Sequence, residues 1–115
     1  MRAGYVHEAV VRMDEGADAR APGAAVTVAL CGHWEHEPPC RWPHHTGISG
    51  PASNLGLRIL FACSAADESD VRARIEDALR SGTLPEPRAS WSVVDSGAGE
   101  VDDDEREHVG RLLAS

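Results

Sequence analysis

The hydrophobic and polar positions divide this chain into segments with different periods. Tyr5–Met13 interleaves Val6, Ala9, Val10, Val11 and Met13 with polar residues and reads as a strand. Asp14–Gly23 is polar, carries Gly16, Pro22 and Gly23, and reads as a turn. Ala24–Cys31 is apolar on both faces, the pattern of a strand covered on two sides. Strands at 5–13 and 24–31 would form an antiparallel hairpin.

Gly32–Gly56 has neither period. It holds Pro38, Pro39, Pro43 and Pro51 and reads as a long loop, of a length that in a compact domain is usually functional or disordered. Leu57–Cys63 is the clearest strand. Ser64–Ser69 is a turn rich in capping residues. In Asp70–Ser81 the residues Val71, Ile75, Ala78 and Leu79 recur at i, i+4, i+7 and i+8, which lines one face of a helix. Asp67, Glu68 and Asp70 suit its N-terminus, and Gly82 with Pro85 and Pro87 ends it.

Ala89–Asp95 reads as a strand and Ser96–Glu100 as a turn. Asp102–Ala114 reads as a second helix, acidic at its start, with Val109, Leu112 and Leu113 as its stripe. A strand, a helix and a strand in succession predict a parallel crossover. The expected architecture is α/β (α+β): a two-layer sandwich with a mixed sheet of about four strands and two helices, in the order β-β-loop-β-α-β-α. With 115 residues the chain reads as a single domain, 1–115, with the loop 32–56 inserted between strands.

Composition narrows the partners. The net charge is −8, and all 11 basic residues are arginine. Such a chain is poorly suited to phosphate backbones or anionic membranes, so neither nucleic acid nor membrane is expected. No secretory leader is legible in 1–18 and no apolar stretch is long enough to span a bilayer, which makes a cytoplasmic location the expectation. There the thiols of Cys31, Cys40 and Cys63 would stay reduced.

The candidate chemistry lies in residues 31–45, Cys-Gly-His-Trp-Glu-His-Glu-Pro-Pro-Cys-Arg-Trp-Pro-His-His. Thiolate and imidazole are the donors that borderline transition metals prefer. Cys31, His36, Cys40 and His44 form a four-donor set, with spacing Cys-x4-His-x3-Cys-x3-His, that can turn around a tetrahedral ion. His33, His45 and Cys63 are alternates. Glu35 and Glu37 could orient a ligating ring, and the prolines would reduce the entropy lost on closing the loop. Zinc is the expected ion, with copper or nickel behind it.

Each feature also has a plainer reading. The loop could be a polar surface segment whose tryptophans plug the core. Cys63, between a strand and a helix, reads better as a buried structural cysteine than as a nucleophile, because Asp67 and Glu68 oppose a thiolate. His7 and His108 read as half-buried or surface residues, not ligands. Asp102–Glu105 reads as a solvated helix start. No phosphate-binding loop, nucleophile elbow or catalytic carboxylate pair is visible.

Three functions compete on this evidence. The first is a small protein that binds a transition-metal ion through its Cys/His-rich loop. The second is a non-catalytic interaction or homo-oligomerisation domain with Trp34 and Trp42 as anchors. The third is a small enzyme that uses a metal-bound water.

Overall fold

The computed structural model describes residues 1–32, 41–85 and 88–114. Five strands make one antiparallel sheet in the order β2-β3-β1-β5-β4, where β1 is Arg2–Met13, β2 His44–Ser49, β3 Leu55–Ser64, β4 Thr83–Leu84 and β5 Ala89–Gly99. Helices α1 (Ala21–Cys31) and α2 (Glu68–Ser81) lie on one face, and α3 (Arg106–Leu113) lies on the other. With the two-residue β4 set aside, the β-α-β-β-α-β order with β3 inserted between β1 and β2 is a split βαβ arrangement.

The expectation of mixed α/β architecture holds, and its details change. The sheet is antiparallel throughout and has five strands, not about four in mixed directions. Among the described residues there are three α-helices, and α3 adds a partial third layer. The β3-α2-β5 unit runs its strands in the same direction, but β1 sits between them, so they do not pair.

Residues 24–31 are helix, not strand, so β1 has no hairpin partner there. Pro22 stands in the first turn of α1, where its missing N–H costs nothing. Gly32 ends the helix at φ 81°, donating its N–H to the Val28 carbonyl at 2.7 Å. Ala21, Ala24, Ala25, Val26 and Leu30 are all buried. An apolar run with no polar face fits a buried helix as well as a buried strand, and only tertiary packing chose between them.

The expected loop 32–56 is also shorter than the sequence suggests. It contains β2, paired with β3 from His44↔Phe61 to Ser49↔Gly56. His-His-Thr-Gly-Ile-Ser lacks alternating apolar residues, and it is a strand because the edge of β3 supplies its hydrogen bonds. Gly50, at φ 85°, turns the chain back toward β3; a Cβ there would lie 2.9 Å from the Asn54 carbonyl oxygen.

The main core lies between the sheet and α1 with α2. It contains Ala9, Val11, Met13, Leu57, Ile59, Phe61, Val71, Ile75, Leu79 and Trp91. Trp91 donates its ring N–H to the Leu79 carbonyl at 2.8 Å, which satisfies both a buried donor and an end carbonyl of α2. A smaller cluster of Val6, Leu60 and Val109 seats α3 on the opposite face. At the β1–β5 pairing the register slips between Val10↔Asp95 and Val11↔Val93, leaving Val94 as an extra residue, 63% exposed.

Candidate functional site

Cys31 and His44, on either side of residues 33–40, meet at the junction of α1 and β2. Cys31 is the last residue of α1 and His44 the first of β2, thirteen positions apart, and Sγ of Cys31 lies 3.9 Å from Nδ1 of His44. Nδ1 is also 3.0 Å from the Trp42 carbonyl, and Nε2 is 3.0 Å from the Thr27 hydroxyl. A carbonyl only accepts, so Nδ1 carries the proton and Nε2 accepts from Thr27. That hydroxyl has a second acceptor, the Gly23 carbonyl at 3.2 Å. Turning to it would release the Nε2 lone pair.

Cys31 is disulfide-bonded. A sulfur so bonded is a thiolate donor only after reduction, which departs from the expectation of reduced thiols. His33, His36 and Cys40 lie outside the described residues. Cys63 is a free thiol, 1% exposed in the core. Burial, and then the charges of Asp67 and Glu68, push it up from the ordinary thiol range, so it is held as an inert thiol. Among the described residues no three His, Cys, Asp or Glu side chains are grouped to hold a metal ion.

Trp42, whose carbonyl meets the His44 ring, is itself a core residue. It is 4% exposed, with the guanidinium groups of Arg41 and Arg74 lying 4.6 and 5.0 Å from its ring centre. Its ring is packed in the core, the placement that the plainer reading of the loop anticipates.

His44 and His45 are split by the period of the strand. His44 turns toward α1, whereas His45 turns to the α3 face, where its ring lies 4.4 Å from that of His108. His45 is therefore not an alternate for the Cys31–His44 neighbourhood in this arrangement.

One polar cluster was not legible in the sequence. His7, 3% exposed, lies under α2 with Nε2 2.7 Å from Glu76 Oε1 and 3.2 Å from Ser96 Oγ. Ser96 Oγ also donates to Glu76 Oε1. On the other side of the ring, Nδ1 is 3.1 Å from an Arg72 nitrogen, which also donates to the Val6 carbonyl at 2.8 Å. Arginine only donates, so Nδ1 accepts and Nε2 carries the proton toward Glu76. Burial pushes the Glu76 carboxyl up, but hydrogen bonds from Ser96, His7 and Arg80 outweigh it and hold it below the ordinary range.

Serine, histidine and glutamate side by side suggest a nucleophile with its base, but the geometry argues otherwise. In a working triad the serine and the acid sit on opposite ring nitrogens. Here both face Nε2, whose proton is already present, and Arg72 occupies Nδ1. The imidazole cannot take the serine proton, so the cluster is a satisfied buried network joining β1, α2 and β5.

Comparison with known proteins gives no matching family model, no similar curated protein and no similar solved structure.

Proposed function

We propose that this chain binds one transition-metal ion, zinc before copper or nickel, at the junction of α1 and β2 through Cys31, His36, Cys40 and His44. The observation that carries the reading is the approach of Cys31 to the His44 ring, whose Nδ1 would exchange the Trp42 carbonyl for the ion. The two outer donors of the set lie at opposite ends of the segment, and the fold brings them together. Much of the loop-closure entropy of such a site is then met by folding, before any ion arrives. His36 and Cys40 enter on the sequence pattern alone.

The disulfide at Cys31 sets the condition. Binding through both thiolates requires reduced protein, and the oxidised form lacks them. The test is metal titration of the reduced protein followed by elemental analysis. One equivalent of zinc is expected beyond what the oxidised protein takes up, and this increment is lost in Cys31→Ser and in His44→Ala. A folded, reduced protein that takes up no zinc overturns the reading, as does unchanged uptake by both variants.

A second reading, association with another copy of this chain, rests on β5. Its outer edge pairs with β4 only at Ala89 and Ser90, so among the described residues 93–99 have no strand partner on that side, and Val94 is exposed there. Trp42 is buried and does not act as the anchor of such an interface. Mass in solution that is independent of both chelator and reductant, and that falls on Val94→Lys, would favour this reading over the first.

A further inference from the structure

His45 and His108 come from elements far apart in sequence and meet on the face of the sheet away from α1. Their ring centres lie 4.4 Å apart at 47°. Together they line a cavity of about 270 Å³ whose wall also holds Gly47, Ile48, Asp104 and Glu105. Among the described residues no hydrogen bond engages either ring, and Asp104 makes no ion pair. This is therefore a pair of imidazoles with uncommitted nitrogens.

We infer that His45 and His108 hold a divalent transition-metal ion, at a site separate from the α1–β2 junction. Each ring supplies one nitrogen, the donor that suits zinc, copper and nickel. With two protein nitrogens fixed, the remaining positions fall to water, so this is an open site and not a closed structural one. The positive group in the cavity wall, Arg58, is already neutralised: it donates to Glu105 at 2.7 and 2.9 Å and also to Glu8. The net charge of −8 favours a cation over an anionic ligand.

The inference is independent of the junction site, and oxidised protein separates the two. With Cys31 in its disulfide, zinc uptake reports on the histidine pair; the junction reading is judged only on reduced protein. Zinc titrated into oxidised protein should shift the ring signals of His45 and His108 together in NMR spectra and saturate at one equivalent. Copper(II) at the same site should show hyperfine coupling to two nitrogens by electron paramagnetic resonance. His108→Gln, on a surface helix, should abolish the zinc response and reduce the coupling to one nitrogen. The inference is overturned if oxidised wild-type protein shows no saturable response in those two rings, or if His108→Gln binds zinc and copper as the wild type does.

Discussion

Arg58 and Glu105 face each other in a two-point contact: Nε donates to Oε2 at 2.9 Å and Nη2 to Oε1 at 2.7 Å. The pair ties the middle of β3 to the 3-10 turn that leads into α3. Asp102 adds a capping box with Glu105, and the third nitrogen of Arg58 reaches Glu8 on β1. One guanidinium thus offsets three carboxylates, those of Glu8, Asp102 and Glu105. Arg58→Met removes the cation and leaves Glu8, Asp102 and Glu105 facing one another. The expected loss is about 1.5–3 kcal/mol, the usual range for charge-assisted hydrogen bonds. It should appear in urea unfolding, with early hydrogen exchange confined to α3.

The same pair sets an acid limit. The hydrogen bond from Arg58, joined by one from the Asp102 backbone, outweighs burial and holds the Glu105 carboxyl below its ordinary range. Glu105 therefore binds its proton more weakly folded than unfolded. Its contribution is complete above the unfolded value near ~4.3 and is lost as pH falls through the folded value. Wild-type stability should decline below about pH 5, with a shallower slope in Glu105→Gln. Equal slopes would show that the pair carries no linkage.

Glu76→Ala should be more damaging than its partial exposure suggests. The change leaves the His7 Nε2 proton with only Ser96 as a neighbour, in a site 3% exposed. An unsatisfied buried donor costs about 1–3 kcal/mol. The melting temperature should fall by several degrees, and Glu76→Gln should recover much of the loss because its amide oxygen still accepts. The nitrogen-15 shifts of the His7 ring in the wild type should report the Nε2-protonated tautomer.

Gly4 is a test of how α3 is seated. A Cβ at this position would lie 2.1 Å from Val109 Cγ1. Gly4→Ala should lift α3 from β1 while leaving the Val71–Ile75–Leu79 packing intact. The expected result is fast amide exchange in 106–113 with unchanged protection in α2. Equal loss in both helices would mean that the two faces of the sheet unfold as one.

Cys63 should be silent toward alkylating reagents in the folded protein. It is 1% exposed, and burial with Asp67 and Glu68 raises its thiol above the ordinary range. Iodoacetamide should label it only at the rate of unfolding, and Val71→Ala, which opens space in the same core, should speed the labelling.

Much of the fold was legible in the chain because local pattern and tertiary environment agreed. β1, β3, α2, the first half of β5 and α3 follow from periodicity, caps and the acidic starts of helices. In α2, Val71, Ile75 and Leu79 are the buried residues that the spacing selected. The failures came where local pattern was neutral. Residues 21–31 carry Val26, Thr27 and Val28, which suit strands, and an apolar surface on every side. The signals that could have decided for a helix were Pro22 at the start and Gly32 at the end. β2 had no signal of its own, since an edge strand takes its hydrogen bonds from its neighbour whatever its composition.

The candidate sites divide in the same way. Residue chemistry alone singled out 31–45, because soft donors crowded into a short segment are visible without coordinates. Which donors meet is a long-range matter. The strand period sends His44 to α1 and His45 to His108, and His7 finds Glu76 across the sheet–helix interface. Sequence determined which side chains were available and where the regular elements with strong periods run. Tertiary structure decided which of those side chains face each other, because strand order and register are set by burial across the whole sheet and not by neighbours in the chain.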